Sequence, residues 1–508
     1  MVFNRHTAGL LFAACIVAIG GIVYELVIGT VSSYLLGNSV LQFSFTIGFM
    51  LFGMGIGSYV APKLTNQVET TFVINELLIA GIGGFSPAFL FWIFSIRIPF
   101  LPVFLFTVTG LGVLIGLEIP LMYRLLQEKT SGMHAISRIM TLDYVGALIA
   151  SIAFPLLLLP TFGIVRTALL IGLANACIAG LLLWAFWDRI QIRRFLVVFC
   201  GVVLLVLGLG VYFSRSIHQS IDQRLYRDQV VYQEQTPYQY LILTRFKNDI
   251  RLYIDGNVQF SSLDEYRYHE PLIHIPLASV RHPERVLVLG GGDGLAAREL
   301  LKDSRVQHIT IVDLDPAMVR LAKTHPFVTA LNQGSFEDSR VRVVHDDAFS
   351  FLRDATETYD VIVADLPDPN TESLAKLYSV EMYRLVLQRL TREGVFVTQA
   401  TSPYFSREAF WTIDASIQAA GFVTRPYHVQ VPSFGEWGFV LASRQFPVEM
   451  DWKLTVSPLR FLNEAVMPSL FVFDADISCP ITVTSSTFVS PSILDVYLQD
   501  ARRWDSRP

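Results

Sequence analysis

Two apolar runs break into loops that carry acids: Val286–Gly294 (VLVLGGGDG), with Asp293 among its glycines, and Val361–Pro369 (VIVADLPDP), with Asp365 and Asp368. An apolar run of this length, bounded by Gly or Pro, reads as a buried strand. In a doubly wound sheet, loops at the carboxyl ends of parallel strands meet in one crevice. These two loops would therefore set three carboxylates around a single pocket, with glycine backbone that lets a ligand come close. Such a pocket asks for a cation. Further predicted strand ends add Asp313 (in VDLD) and the pair Asp346-Asp347 (after VRVVH). Any one of these acids alone is more often a helix cap or a solvated loop residue. Their joint occurrence at strand ends is what points to a site.

The glycine loop also excludes common ligands. A dinucleotide loop needs a third glycine where Leu295 stands, and a phosphate loop needs Lys-Ser/Thr where Leu295-Ala296 follow. Asp293 would set an anion against any phosphate. Asp313, ending the next strand, is placed to hold ribose hydroxyls. What fits is a nucleoside without phosphate, joined to a cationic group, as in S-adenosyl compounds.

The elements that must position these residues occupy only the second half of the chain. Of 508 residues 52 % are apolar and 16 % charged, with net charge −5, and the apolar excess lies before Ser214. Apolar runs at about 8–36, 41–62, 72–95, 100–123, 139–162, 165–187 and 195–213 have the length of bilayer crossings, which predicts an α-helical membrane bundle over 1–213. The lipid bilayer is then a partner, and the cell membrane, crossed several times, the location. No basic cluster is interleaved with aromatics, so nucleic acid is not a partner. Cys15, Cys177, Cys200 and Cys479 lack ligand or disulfide spacing, and no metal site is expected. Lys63, Arg124, Lys129, Arg138, Arg189, Arg193 and Arg194 follow alternate runs, which puts the N-terminus in the cytoplasm. Seven crossings would then leave the rest of the chain outside, whereas a cytosolic substrate needs it inside; the sequence leaves this orientation open. Glu25, Glu76, Glu118 and Asp143 fall in or near the runs, where carboxylates are costly, and Gly53, Gly55 and Gly57 favour close helix packing. Residues 214–235 read as a linker and 236–278 as small antiparallel β-hairpins turning at Asp255-Gly256. Residues 279–445 alternate strands with helices, the pattern of an α/β Rossmann-like sheet. Residues 446–508 form a tail of no evident role.

Residues 230–443 resemble the spermidine synthase (polyamine aminopropyltransferase) family. The likeness rests on TPYQYL (236–241), LYIDGNVQFSSLDEYRYHE (252–270), VLVLGGGDGLAAREL (286–300), VDLDPAMV (312–319), VHDDAFSFL (344–352), DVIVADLPDP (360–369) and PSFGEWGFVLAS (432–443), in that order. The front half resembles the membrane regions fused to such domains in some bacterial proteins. The resemblance implies that Gln239, His269 and Asp293 contact decarboxylated S-adenosylmethionine, Asp313 its ribose, and Asp346 and Asp347 its adenine edge. It implies Asp365 as proton acceptor, with Tyr268 and Asp368 placing the acceptor amine, putrescine or a related diamine. Decarboxylated S-adenosylmethionine is then a co-substrate, with no bound cofactor and no metal. Two positions depart from the family: Asp313 is usually Glu, and Leu366-Pro367 replace the Ser-x middle of a catalytic loop that usually reads Asp-Ser-x-Asp-Pro. A methyltransferase would share the adenosine site, but the acid in the glycine loop and the Asp365/Asp368 pair argue against it. A polyamine transporter or sensor with a non-catalytic synthase-like domain is the reading from another class, motivated by the intramembrane acids. A homo-oligomer is allowed but not required.

Overall fold

A computed structural model describes residues 5–36, 39–64, 67–96, 98–127, 132–214, 216, 223–445 and 453–504. The chain divides into two units, Met1–Val230 and Val231–Pro508. In the first, the expected apolar runs are the helices α1 (Arg5–Leu36), α2 (Ser39–Val60), α3 (Val68–Ser95), α4 (Phe100–Gln127), α5 (Gly132–Ala153), α6 (Leu159–Ala185) and α7 (Arg193–Tyr212). They are largely apolar on every side: Leu148, Leu181, Val198 and Leu205 point outward as freely as their neighbours point inward. A helix with no polar face has no side suited to water. Among the described residues, six helical stretches are long and apolar enough to cross a membrane. One of them, Met133–Ala185, has 53 residues, too many for one crossing of about 20 residues, and breaks at Gly163 (φ 71°, ψ 175°). The segments on either side of that break are each of crossing length.

The predicted close packing has a definite partner. A Cβ on Gly53 would stand 2.4 Å from the Thr109 carbonyl, and one on Gly57 2.1 Å from that of Val113, so α2 and α4 touch backbone to backbone. Gly55 points away from this seam, into open space. Glu76 and Glu118 are buried and meet between α3 and α4, while Glu25 and Asp143 stay partly exposed.

The second unit begins earlier than the linker reading placed it, because β1 (Gln229–Gln235) lies inside 214–235. It joins β2 (Tyr240–Phe246), β3 (Asp249–Ile254) and β4 (Asn257–Ser261) in a four-stranded sheet, with Asp255 (φ 48°) and Gly256 (φ 82°) making the expected turn. The hairpin reading fails over α8 (Tyr266–Ala278), which is a helix. Residues 268–277 are all buried, so no polar face reveals the helical period, and Pro271 and Pro276 interrupt it.

A seven-stranded sheet follows, in the order β10-β11-β9-β8-β5-β6-β7. Its strands are β5 (Arg285–Gly290), β6 (His308–Val312), β7 (Val341–Val344), β8 (Tyr359–Asp365), β9 (Leu390–Gln399), β10 (Val423–Val431) and β11 (Gly435–Ser443). The first five are parallel, but β11 runs antiparallel to both β9 and β10. Sequence reading missed β10, where Arg425, Pro426, His428 and Gln430 obscure the apolar run. Short helices α9 (Leu295–Leu300), α10 (Pro316–Thr324), α11 (Ala348–Asp354) and α12 (Arg407–Ala419) connect the strands. The tail is part of this unit. The Glu270 carboxylate accepts the amides of Arg460, Phe461 and Leu462 at 2.8–2.9 Å, and the tail ends in α13 (Ser492–Trp504).

Candidate active site

The sheet order reverses at β5, whose neighbours are β6 on one side and β8 on the other. That switch point opens a crevice at the carboxyl ends of the strands. There Gly290 pairs in register with Asp365. A Cβ on Gly290 would stand 2.0 Å from the Asp365 carbonyl, and φ is 81°, so only glycine fits. Gly292 is needed for another reason: its Cβ would lie 2.2 Å from Oδ2 of Asp313. Asp313 also accepts the Asp315 amide at 2.9 Å, and burial pushes its carboxyl up to about 6. Asp293 accepts the Leu295 amide at 2.9 Å. Burial raises it to about 6 and the nearby Asp365 adds to the rise, against the pull of His269.

His269 is buried on α8, with Nδ1 2.9 Å from the Glu265 carbonyl and 3.0 Å from its carboxylate. Burial alone would discharge the ring, but Glu265 overrides it and holds the imidazolium up to about 9. Glu265 is itself gripped by Arg298 on α9, at 3.0 and 2.8 Å. Arg298 in turn bonds Glu299 at 2.9 Å and the Leu331 carbonyl at 2.9 Å. His269, Asp293 and Asp365 each bring a polar atom within 4.8 Å of the others, close enough for a metal ion. An imidazole that keeps its proton at neutral pH is a poor metal ligand. The grouping suits an organic cation held mainly by the two carboxylates.

Tyr268, beside His269, donates from Oη to Oδ1 of Asp365 at 2.7 Å. Oδ2 of Asp365 faces the glycine loop, 3.6 Å from where a Gly291 Cβ would stand. The ring of Tyr268 lies against Phe434, Trp437 and Phe439, with centroids 5.2–6.5 Å apart, so this side of the crevice has an aromatic wall. Three residues on, burial pushes Asp368 up to about 6. Tyr497 Oη at 3.0 Å, Gln399 Nε2 at 3.3 Å and Thr401 Oγ1 at 3.5 Å donate to it and favour its ionised form. The Leu366-Pro367 link between the acids is fixed through its backbone: Gln399 Nε2 donates to the Leu366 carbonyl at 2.7 Å and Tyr378 Oη to that of Pro367 at 2.8 Å.

The structure therefore brings Tyr268, His269, Asp293 and Asp365 together, with Asp313 and Asp368 on the loops beside them. Gln239 is tied to Asp315, its Nε2 donating at 2.9 Å, and Thr236 joins the same carboxylate at 2.8 Å. Asp347 caps α11 through the Ser350 amide at 3.0 Å and pairs with Lys376 at 2.8 Å, contacts that hold it below the usual carboxylate range despite burial. Asp346 stands exposed and accepts the Asp347 amide at 2.8 Å. Sequence reasoning missed Asp315, Glu265, Arg298, Gln399 and Tyr497. The first three lie inside the motifs already singled out; Tyr497 sits in a tail that carries no signal.

The family described as Spermine/spermidine synthase domain matches residues 265–452. A polyamine aminopropyltransferase 2 of Ralstonia nicotianae is 45 % identical over 94 % of this chain and 95 % of its own length. A polyamine aminopropyltransferase of Oceanobacillus iheyensis is 42 % identical over 97 % of each. Among solved structures, a spermidine synthase from Thermotoga maritima is 25 % identical, covering 48 % of this chain and 84 % of that one, with a TM-score of 0.44.

Proposed function

The chain belongs to the spermine/spermidine synthase family of aminopropyltransferases, and from that premise we propose that it makes spermidine, with putrescine as acceptor and Asp365 as the base. Its co-substrate is decarboxylated S-adenosylmethionine. The sulfonium of that donor makes the adjoining propyl carbon electrophilic. The amine nitrogen forms a bond to this carbon as the carbon–sulfur bond breaks, and the electron pair leaves on sulfur as methylthioadenosine. Only a neutral amine can attack, yet amines with pKa about 10 are protonated at neutral pH. Asp365, with Oδ1 engaged by Tyr268, offers Oδ2 on the side of the glycine loop to take that proton. Asp368 holds the far ammonium. Asp293 pairs with the donor's own ammonium and would repel the carboxylate of ordinary S-adenosylmethionine. Asp313 takes the ribose, Asp347 and Asp346 the adenine edge, and Gln239, braced by Asp315, and His269 complete the donor side.

The observation that supports this reading best is the Tyr268–Asp365 pair, fixed between the glycine loop and Asp368. It is tested by incubating full-length protein in detergent with the decarboxylated donor and a panel of diamines, with products identified by mass. Spermidine formed fastest from putrescine is the expected result. Methyl transfer from ordinary S-adenosylmethionine, with no propylamine product, would revive the methyltransferase reading.

We further propose that the apolar helices span the cell membrane and that the transferase unit faces the cytoplasm, where its nucleoside donor is found. That placement needs an even number of crossings from a cytoplasmic N-terminus, or an odd number from one outside. The break at Gly163 is where the count is decided. Reporter fusions at each terminus read the two sides directly, and an external C-terminus would overturn the placement.

A further inference from the structure

The C-terminal tail lies beyond the matched domain, which ends at residue 452, yet it reaches the second acid of the catalytic loop. We propose that Tyr497, on α13, is a positioning residue for the acceptor amine: it orients Asp368, so the tail helps set affinity and selectivity for the diamine. The inference rests on the acceptor reading above.

Three observations carry it. First, the Tyr497 bond of 3.0 Å to Asp368 Oδ2 is shorter than those of Gln399 (3.3 Å) and Thr401 (3.5 Å). Second, these three described partners are neutral. Tyr497 fixes the carboxylate without cancelling its charge, whereas a lysine or arginine there would satisfy Asp368 and leave nothing for an ammonium. Third, α13 is held firmly. Asp500 accepts the amides of Glu408 and Ala409 at 3.0 and 3.2 Å, capping the start of α12. Trp504 donates from Nε1 to the Phe405 carbonyl at 2.9 Å, and its ring lies 5.5 and 5.1 Å from those of Tyr404 and Phe405. Ile493 and Leu494 are buried in the core beneath the sheet. The tail thus clamps the very segment, 399–408, that leads away from Gln399 and Thr401. A hydroxyl held by a docked helix on the acceptor acid is a device for shaping that pocket.

The ionisable groups around Asp368 are Asp365 on its own loop, Tyr268 from α8, Tyr378, and Tyr497. Because the Tyr497 hydroxyl favours the ionised carboxylate, its removal moves the titration of Asp368 to higher pH. The experiment compares wild type and Tyr497→Phe, both full length in detergent, in steady-state transfer to putrescine and to a longer diamine across pH 5–9. Tyr497→Phe keeps the ring and its packing. The expected result is a KM for the diamine raised about tenfold, the loss of one hydrogen bond to a charged group. The KM for the donor and kcat should stay within about twofold, and the acid limb of kcat/KM for the diamine should move upward in pH. Asp500→Ala, which releases the helix, should reproduce the change in acceptor KM. An unchanged diamine KM and unchanged acid limb in active Tyr497→Phe would overturn the role of Tyr497 and leave the acceptor reading intact. Wild-type protein that transfers to no diamine would overturn both. A Tyr497→Phe protein that loses donor binding as well would mark the tyrosine as structural and overturn the proposal.

Discussion

Replacing Asp365 by asparagine should separate chemistry from binding. The amide keeps an oxygen to accept the hydrogen bond from Tyr268 Oη, which lies 2.7 Å from Oδ1, so the loop should hold its shape. What is lost is a second oxygen able to accept a proton. A general base contributes about 10²–10⁴ in rate, or about 2.7–5.4 kcal/mol of barrier at 1.36 kcal/mol per decade. Donor affinity should change far less, because the structure contains a compensation. The Asp365 charge is one of the influences that raise Asp293 to about 6, so its removal leaves Asp293 more fully ionised for the donor's cation. The assay is single-turnover quench at saturating diamine, following methylthioadenosine, beside calorimetric titration of the donor. The variant should also recover as pH rises towards the amine's own pKa of about 10, where the nucleophile arrives already neutral. Single-turnover transfer within about threefold of wild type would refute the assignment. Lost donor binding would make Asp365 a structural acid.

Asp293→Asn should erase most of the preference for decarboxylated over ordinary S-adenosylmethionine, a loss of about 1.5–3 kcal/mol read by competitive binding. In the wild type, donor affinity should fall as pH drops through about 6, because protonated Asp293 no longer attracts a cation. The variant should flatten that dependence, with residual curvature from Asp313, which titrates in the same range. Arg298→Ala should cost about 1.5–3 kcal/mol, the worth of a hydrogen bond to a charged group, because Glu265 keeps His269 and Glu299 keeps His274 and Lys302; a thermal midpoint within about 2 °C of wild type would contradict this. Residues 223–508 expressed alone should fold and bind the donor, because the second unit has its own cores; aggregation while full-length protein stays folded would contradict it.

The half of the candidate site proposed for the donor was legible as a cluster because its placement is local. Asp293 and Asp313 stand at the ends of apolar strands, and their glycines occupy positions where a Cβ would strike a carbonyl or a carboxylate. The half proposed for the acceptor was legible only as far as the loop of Asp365 and Asp368. Gln399 ends a strand read correctly but offers no motif of its own, and Tyr497 reaches Asp368 from 129 residues away. Contacts of that range leave no spacing to read. Buried α8 failed for a different reason: a helix enclosed on all sides shows neither a polar face nor a period. The seven apolar runs were read as helices because lipid-length segments announce themselves by composition.

The reversal of β11 has a consequence for how this enzyme can diverge. Its partner strand β10 ends at Val431 and β11 begins at Gly435, so a short hairpin turn lies on the same rim as the ends of the parallel strands, with Phe439 opposite Gln399. That turn carries Phe434 and leads into Trp437, both against Tyr268. Lengthening a turn between antiparallel strands leaves their pairing intact, whereas lengthening a crossover would disturb the loops proposed to hold the nucleoside. With the acceptor placed as proposed, the hairpin can be rebuilt for amines of different length while the proposed donor side stays as it is, and a graft confined to residues 431–436 should change the polyamine product, read by mass.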